Sequence, residues 1–396
     1  MAVRKRVLKS GEVRWLVDYI DQAGKRRAKQ FTKKRDADTF EFKAKNQVAD
    51  GTHVADAASV TVAEAGVIWI EAGQREGLEA TTITQREQHV RLHIVPRIGV
   101  LKLSRLTTPM VDEFKDSLVD DLSRPLARAV LTSFKGLIRT AQLKGLIGSN
   151  PATAVRITKR RTETVVAVAS DDDEGEVKIL TKDQIRAMLD KSAELWPMTR
   201  TVRGRWVRGE GRPERVVAVP WRPMLITTMF TGLRASEIRG LTWNRVDLEG
   251  RKLKVRQRAD RYGRIGPPKT KASSRDVVMA PAVVEVLREW RRVCPENELG
   301  LVFPSETGRP ILHTNLLQQG FKPLLEVCGI EGNYGYHVLR HTAASLFIDE
   351  GLPPKKIQAL MGHSSITVTF DTYGHLFPSD DDDASAMARM QARLLG

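Results

Sequence analysis

Basic, imidazole and phenol side chains recur in the C-terminal half of the chain, at spacings that could support phosphoryl transfer. They lie in four separated segments: TGLRASE (231–237), PKTKASSR (268–275), YHVLRH (336–341) and GHSSITVTFDTYGH (362–375). The side chains with chemical potential are Arg234, Lys269, His337, Arg340, His363 and Tyr373. Each residue type alone is common on the surface of a basic protein, so the signal comes from their types, order and spacing together.

These side-chain types suit the transfer of a phosphodiester to a protein hydroxyl without a metal ion. Two guanidinium groups can neutralise the charge that develops on the non-bridging phosphate oxygens. A lysine can protonate a leaving 5′-oxygen, and the histidines can serve as base or as phosphate donors. A tyrosine, with an ordinary pKa of about 10, becomes a useful nucleophile when a base and local positive charge favour its phenolate.

Zinc and nucleotide chemistry fit the sequence less well. His337 and His341 are four apart, as in a zinc protease helix, but Val338 stands where the HExxH motif requires its glutamate. The chain has no GxxxxGK[ST] phosphate-binding loop. Its two cysteines, Cys294 and Cys328, show neither a metal-ligand spacing nor a disulfide framework. We therefore expect neither a metal site nor a cofactor.

The overall charge points to a nucleic-acid partner. Lysine and arginine number 64 against 48 aspartates and glutamates, a net charge of +16, which is typical of proteins that neutralise phosphates. An anionic membrane ranks lower, since aromatic residues are only 6% of the chain and no basic amphipathic helix is evident. With neither a signal peptide nor a long apolar segment, a soluble intracellular protein is expected.

Residues 1–55 are predicted to form a small domain with a three-stranded sheet and a helix. In EVRWLVDYI (12–20), apolar and polar residues alternate with the period of a strand, DQAGK supplies a turn, and RRAKQFT (26–32) continues as an extended segment. An amphipathic helix with apolar residues at helical spacing follows. We expect this sheet to lay basic side chains against DNA, the candidates being Arg14, Arg26, Arg27 and Lys29.

Residues 61–157 are predicted to form an all-α domain of four helices. Thr61 and Glu64 make a capping box at its start, and Pro109 is placed near the start of a later helix. His89 and His93 are four apart on a predicted helix without a third ligand nearby, so we expect a polar surface pair.

Residues 158–179 read as a linker, because their composition changes from basic to small to acidic without an amphipathic period. Its basic start adds the candidate DNA contacts Lys159, Arg160 and Arg161. From residue 180 to 396 the pattern becomes mixed α/β and mainly helical, beginning with a second capping signature at TKDQ (181–184).

Taken in order, the four chemical segments resemble the active-site boxes of the tyrosine recombinases, or phage-type integrases. The resemblance is specific over the C-terminal half, whereas the N-terminal half is similar in architecture only. It implies a multidomain protein in which residues 1–55 bind arm-type sites, residues 61–157 bind core sites, and residues 180–396 form the α/β catalytic domain with its C-terminal tail.

The resemblance also implies a role for each matched residue. Arg234 and Arg340 would bind the scissile phosphate, and Glu237 would support the helix that Arg234 opens. Lys269 would protonate the leaving 5′-oxygen, although Lys271 is expected on the same side of the same strand and is an alternative. The remaining roles are base for His337, phosphate hydrogen-bond donor for His363, and nucleophile forming a 3′-phosphotyrosine for Tyr373.

The implied function is site-specific recombination that integrates, and with a helper excises, a mobile element through a Holliday junction in the cytoplasm of a bacterial host. The implied partners are double-stranded DNA attachment sites, a homotetramer on DNA, an excisionase or directionality factor, and a DNA-bending protein. Two alternatives remain: a type IB topoisomerase-like strand passer, which shares the chemistry, and a catalytically idle DNA-binding protein of the same fold.

Two segments leave their roles open. The Arg- and Gly-rich insertion at 196–221 could contact DNA or be solvated surface. The C-terminal tail offers an apolar face formed by Met387, Met390 and Leu394, which could pack on its own domain or on a neighbouring subunit.

Overall fold

The chain divides into two units, residues 1–160 and residues 161–396. A computed structural model describes residues 2–8, 10–21, 24–49, 53–56, 58–158, 177–194, 220–377 and 383–395. Lys159, Arg160 and Arg161 lie outside the described residues, as do nearly all of the predicted linker and of the insertion at 196–221.

The first unit begins with the sheet and helix that the sequence pattern predicts. The strands are β1 (Ala2–Val7), β2 (Val13–Ile20) and β3 (Arg26–Phe31), antiparallel in the order β1-β2-β3, and α1 is Lys34–Ala49. Val17 on the central strand lies opposite Val3 and Lys29. One face of the sheet packs on α1 through a small core centred on Val17, Tyr19 and Ala37.

A second, separate core holds the helical part of this unit together. Its helices are α2 (Val62–Arg75), α3 (Ala80–Gln88), α4 (Val95–Ile98), α5 (Thr108–Asp121) and α6 (Arg124–Leu143). A π-helical turn at His89–Ile94 joins α3 to α4. Trp69, Phe114 and Phe134 meet in the core, where the apolar stripe of α6 faces the other helices.

His89 corrects an expectation from the sequence. Its ring does meet that of His93 edge-on, with centroids 6.3 Å apart, but His89 is buried in the helical core and not on the surface, and its Nδ1 is 2.8 Å from Ser133 Oγ. The hydroxyl satisfies the ring nitrogen, which makes burial of this polar side chain acceptable.

The second unit is helix-rich around small sheets. Its helices are α7 (Lys182–Glu194), α8 (Trp221–Thr231), α9 (Ala235–Arg239), α10 (Pro281–Val293), α11 (His313–Asn315), α12 (Lys322–Val327), α13 (Val338–Asp349), α14 (Pro354–Met361), α15 (Ile366–Tyr373) and α16 (Asp383–Leu395). Its strands are β4 (Val246–Asp247), β5 (Lys252–Val255), β6 (Arg258–Ala259), β7 (Ile265–Gly266) and β8 (Arg275–Val278).

The strands β5 and β8 form the antiparallel pair expected between RKLKVRQ and the segment that ends in SSRDVV, with β4 on the other side of β5. The hairpin β6-β7 is inserted between them.

The helix α8 is buried on nearly all sides, as its weakly amphipathic sequence requires. Among the described residues, no helix is both long and apolar enough to cross a membrane.

Both predicted capping boxes form. The Thr61 backbone N–H donates to Glu64 Oε2 at 2.7 Å, and the Glu64 N–H donates to Thr61 Oγ1 at 3.2 Å. Thr181 and Gln184 make the equivalent reciprocal pair before α7. These bonds satisfy N–H groups that have no partner within the helix.

Replacing Thr61 with Ala is expected to destabilise the protein by about 1 kcal/mol, because an N-cap hydroxyl is lost. Thr132→Ala is the matched control: Thr132 lies exposed inside α6, where its hydroxyl bonds only to the Arg128 carbonyl, and alanine is the better helix former. Denaturant unfolding of both variants measures the difference. Equal destabilisation of the two would contradict the capping argument.

Candidate active site

A left-handed glycine turn places the first arginine of the site. Gly232 ends α8 with φ +65°, and a Cβ atom there would lie 2.8 Å from Met361 Sδ. The turn lets the chain begin α9 at Ala235, three residues later, with Arg234 at its N-cap. Glycine is required here both for the backbone conformation and for the close approach of α14.

Arg234 is held by contacts from three parts of the chain. Its Nη1 donates to Glu237 Oε1 at 2.9 Å and to Ser273 Oγ at 3.3 Å. Its Nη2 donates to the Gly362 carbonyl at 3.2 Å. About a quarter of the side chain, 23%, remains exposed, so the guanidinium is fixed in place yet accessible to a ligand.

Glu237 is a buried carboxylate that joins two arginines. Besides Arg234, it binds Arg275 through a two-point contact, with Nη1 at 3.0 Å from Oε1 and Nη2 at 2.9 Å from Oε2. It also accepts the Arg234 backbone N–H at 3.0 Å. Burial acts to raise the pKa of Glu237, but the guanidinium groups of Arg275 and Arg234 outweigh it and lower the pKa to about 2. The carboxylate is therefore ionised at all ordinary pH values.

Arg275 is a residue of the site that the sequence reasoning missed. It is 8% exposed at the start of β8 and donates to the Leu360 carbonyl at 2.6 Å as well as to Glu237. It thereby ties β8 to α9 and to the end of α14. The signal was its place in SSRDVV, where a charged residue falls on the inward-facing side of the strand beside buried Val277.

The second predicted phosphate-binding arginine is buried beside the first glycine turn. Arg340 on α13 donates from Nη1 to the Gly232 carbonyl and from Nη2 to the Met361 carbonyl, each at 2.5 Å. Burial, together with the charge of Arg234, lowers the pKa of Arg340, while Glu237 acts in the opposite direction. Two like charges close together in a buried site favour the binding of an anion.

Gly362 mirrors Gly232 at the end of α14. It also has φ +65°, and a Cβ there would lie 2.9 Å from Arg275 Nη1. Arg340 binds the Gly232 carbonyl of the first turn and the Met361 carbonyl next to the second, and Arg234 binds the Gly362 carbonyl of the second turn. These contacts fasten the two turns to each other.

Tyr373 lies at the end of α15 inside this cluster. Only 1% of it is exposed, and its hydroxyl is 2.9 Å from Nδ1 of His341. Its ring stacks on that of His363, with centroids 6.2 Å apart and an interplanar angle of 17°. Burial raises the pKa of Tyr373 to about 12, although Arg340 and Arg234 act to lower it. At neutral pH the phenol is protonated.

The histidines of the site are neutral. His363 pairs through Nδ1 with Thr369 Oγ1 at 2.9 Å, and burial with the charges of Arg340 and Arg234 lowers its pKa to about 2. His337 precedes α13 and stacks edge-on against His341 with centroids 4.9 Å apart. Burial, the neighbouring imidazole and Arg340 lower the pKa of His337.

Lys269 has an exposed side chain in the loop between β7 and a short 3-10 turn at Lys271–Ser273. Neither Lys269 nor Lys271 lies in a strand, so the expectation that both face one side of a strand is wrong. The same loop reaches the site through Ser273, which accepts the hydrogen bond from Arg234.

The structure thus brings Arg234, Glu237, Arg340, His363 and Tyr373 into one cluster with His337 beside it. The tyrosines near His337 have other surroundings. Tyr336 is buried, pairs with Thr228 Oγ1 at 2.9 Å and donates to the Met224 carbonyl, while Lys178 lies over the Tyr334 ring. His341, considered from the sequence only as a zinc ligand, is the residue in contact with the Tyr373 hydroxyl.

The basic residues of the N-terminal sheet do not share a face. Arg27 and Lys29 lie opposite Tyr19 and Val17 on the face covered by α1. There Arg27 pairs with Asp21 at 2.8 Å, and Lys29 pairs with Asp56 at 2.7 Å.

Arg14 and Arg26 lie on the opposite face, which α1 does not cover. The register places Arg4 and Arg6 of β1 on this face as well, with Arg6 directly opposite Arg14. We call these four arginines, Arg4, Arg6, Arg14 and Arg26, the open-face arginines.

Sequence comparison finds the same family that the segments resemble. Residues 178–379 match the phage integrase family, just over half of the chain. A tyrosine recombinase XerC-like protein of Caldanaerobacter subterraneus subsp. tengcongensis is 23% identical, covering 97% of this chain and 98% of its own. An integrase of Streptomyces ambofaciens is 26% identical over 89% of this chain and 86% of its own.

Solved structures show the same fold. The Tn1549 transposon integrase in complex with a circular intermediate DNA has a TM-score of 0.62 and 22% identity, covering 84% of this chain and 99% of its own. A lambda integrase tetramer bound to a Holliday junction has a TM-score of 0.56 and 16% identity, covering 92% and 96%.

Replacing Glu237 with Gln is expected to destabilise the protein by about 3 kcal/mol, because it leaves two arginines without their shared counter-charge.

The folded-state pKa of Glu237, about 2, lies below that of an unfolded glutamate. Its stabilising contribution is therefore full above about pH 4.3 and is lost as the pH falls towards 2. Unfolding measured against pH should show a smaller acid dependence in the variant.

Glu249→Gln is the control, since Glu249 is 87% exposed and pairs with Arg288 on the surface. Its loss should change stability far less. Similar losses in the two variants would show that the buried carboxylate is not what holds the site together.

Proposed function

The chain belongs to the phage integrase family and is a tyrosine site-specific recombinase; from this premise we propose that it cuts and rejoins double-stranded DNA attachment sites through a 3′-phosphotyrosine on Tyr373. The observation that carries the proposal is the buried phenol of Tyr373 beside two arginines and the imidazoles of His341 and His363. Of the tyrosines near the site, Tyr373 alone has these neighbours. The Tyr336 hydroxyl hydrogen-bonds to Thr228 and to the Met224 carbonyl, and the Lys178 ammonium lies over the Tyr334 ring.

In this proposal Arg234 and Arg340 bind the scissile phosphate. Each guanidinium is already oriented by carbonyl oxygens, so little conformational entropy is lost when the phosphate arrives. A phosphodiester also relieves the repulsion between the two arginines that lowers the pKa of Arg340. Glu237 and Arg275 hold Arg234 from behind and position it without touching the substrate.

Tyr373 attacks phosphorus, the new oxygen–phosphorus bond forms, and the bond to the 5′-oxygen breaks. Lys269 gives the 5′-oxygen its proton from the exposed loop. His363, whose Nδ1 is engaged by Thr369, presents its other nitrogen as a hydrogen-bond donor to the phosphate. The phenolic proton passes to an imidazole at the start of α13, where the resemblance points to His337.

The phosphotyrosine retains the free energy of the broken phosphodiester, so the freed 5′-hydroxyl of another strand can reverse the step. Strand exchange between two sites then proceeds one strand pair at a time through a Holliday junction in a homotetramer. The lambda integrase in the matching fold is described as a tetramer on such a junction. The proposed outcome is integration of a mobile element, with excision aided by an excisionase and a DNA-bending protein.

The C-terminal helix α16 is the proposed contact between subunits. Its apolar residues Met387, Met390 and Leu394 are exposed by 56%, 52% and 76%. A helix that exposes such a face gains from packing on another surface, and in the tetramer that surface belongs to the neighbouring subunit.

The three-domain division proposed here assigns residues 1–55 to arm-type sites and residues 61–157 to core sites. Within the sheet, the open-face arginines are the proposed DNA contacts. Arg6 lies directly opposite Arg14, while Arg14 pairs with Glu12 at 2.8 Å and Arg26 with Asp18 at 3.6 Å. A DNA phosphate between Arg6 and Arg14 is attracted by both guanidinium groups.

Incubation of the protein with a nicked duplex that carries its core site is expected to give a covalent protein–DNA adduct, and Tyr373→Phe is expected to give none. Denaturing electrophoresis measures the adduct, and Tyr334→Phe is the control that should retain it. An unaltered adduct in Tyr373→Phe would refute the assignment. Relaxation of a plasmid without any paired site would favour topoisomerase-like strand passage over recombination.

Replacing Arg6 with Ala is expected to weaken binding to a short duplex DNA and to reduce the slope of log affinity against log salt by about 0.9 per lost phosphate contact. Arg26→Ala should act in the same direction, whereas Arg27→Ala, on the face beneath α1, should leave the slope unchanged. Titrations at several salt concentrations provide the measurement. An equal effect of Arg26→Ala and Arg27→Ala would exclude the open face as the DNA contact.

A further inference from the structure

The hydroxyl oxygen of Tyr373 has a specific partner, and that partner is His341. The 2.9 Å contact between Tyr373 Oη and His341 Nδ1 is a direct hydrogen bond to the atom that attacks phosphorus in the proposed function. We propose that His341, and not His337, is the base that accepts the phenolic proton of Tyr373, which makes His341 a further catalytic residue. This inference rests on the proposed function and deepens it.

The hydrogen bond fixes the direction of proton transfer. A protonated phenol donates its hydrogen, so Nδ1 of His341 accepts, and the imidazole proton resides on Nε2. His341 is neutral in this setting, since burial and the charge of Arg340 lower its pKa to about 4. A neutral imidazole at neutral pH is free to take a proton.

His337 occupies a different position. It precedes α13, and among the described contacts it meets His341 edge-on, with ring centroids 4.9 Å apart, whereas the Tyr373 hydroxyl pairs with His341. The two histidines are four residues apart and therefore lie on one face of the helix. His337 packs behind the base and orients its ring.

The charged and titratable groups that face His341 come from each element packed around it. They are Arg340 in α13, His337 directly before α13, Tyr373 at the end of α15, and His363 shortly before α15. A bound phosphodiester offsets the charge of Arg340 and so raises the proton affinity of His341. The base becomes stronger when its substrate is in place.

The step balances as follows. The Tyr373 oxygen forms its bond to phosphorus as the phenolic proton moves to His341 Nδ1, which becomes an imidazolium. The bond from phosphorus to the 5′-oxygen breaks, and that oxygen takes a proton from Lys269. In rejoining, a 5′-hydroxyl attacks, Lys269 recovers its proton, and the departing phenolate takes the proton back from His341.

Two substitutions separate proton transfer from positioning. His341→Asn places an amide oxygen where Nδ1 stood and can accept the hydrogen bond, but it cannot take the proton. His341→Ala removes both functions and leaves space for free imidazole. His375→Asn is the matched control, since His375 is an exposed histidine two residues after Tyr373 and has no role in the mechanism.

The measurement is the single-turnover rate of adduct formation on the nicked core-site duplex, with DNA affinity determined in parallel. We expect both His341 variants to lose about a hundredfold or more in rate, the range for a general base, while DNA affinity and the His375→Asn rate stay near wild type. The wild-type rate should be level where His341 is neutral and should fall at lower pH, where His341 becomes protonated. In His341→Asn, which lacks this base, the rate should show no such plateau and should keep rising with pH as more of Tyr373 ionises.

Imidazole added to His341→Ala should restore part of the rate, more so at pH values where imidazole is unprotonated. A wild-type rate in His341→Asn would overturn the proposal. So would a loss in both variants with no imidazole rescue and an unchanged pH profile, because that result would assign His341 a positioning role. Failure of the wild-type protein to form any adduct would refute the proposed function itself and is thus a separate outcome.

Discussion

The site depends on one buried carboxylate. Glu237, 3% exposed, lies between Arg234 and Arg275 and accepts hydrogen bonds from both. Placing several guanidinium groups together in a protein interior is unfavourable unless a counter-charge is built in. Glu237 supplies it, and because its pKa is lowered to about 2, it does so at all ordinary pH values. With that charge in place, Arg234 can remain partly exposed and fixed, ready for an anionic ligand.

Backbone carbonyl groups also hold the arginines of the site in place. The carbonyls of Gly232 and Gly362, both in left-handed turns at helix ends, accept hydrogen bonds from Arg340 and Arg234. Helix C-termini carry partial negative charge, so these carbonyls stabilise the arginines as well as orient them. The result is a positively charged pocket in which the buried phenol of Tyr373 stays protonated, with its hydroxyl already bonded to the imidazole of His341.

The N-terminal sheet illustrates a different constraint. Its register decides which arginines are available, because neighbouring residues on a strand point to opposite faces. Arg27 and Lys29 pair with Asp21 and Asp56 on the face that packs on α1. Arg14 and Arg26 pair with Glu12 and Asp18 on the other face, where Arg6 lies opposite Arg14. Residues of the same type, a few positions apart, thus lie on different faces, and the four open-face arginines share the face that α1 leaves uncovered.

The sequence by itself determined the chemistry and much of the local structure. The sequence contains the residue types and the order that suggest the proposed chemistry, namely Arg234, His337, Arg340, His363 and Tyr373. The capping boxes and the alternation of β2 follow from covalent spacing and short-range hydrogen bonding. Only the tertiary structure decided that Arg275 shares Glu237 with Arg234, that His341 contacts Tyr373, and that Arg4 and Arg6 lie with Arg14. Those relations join residues far apart in the chain, and they depend on helix packing and strand register, which no local pattern specifies.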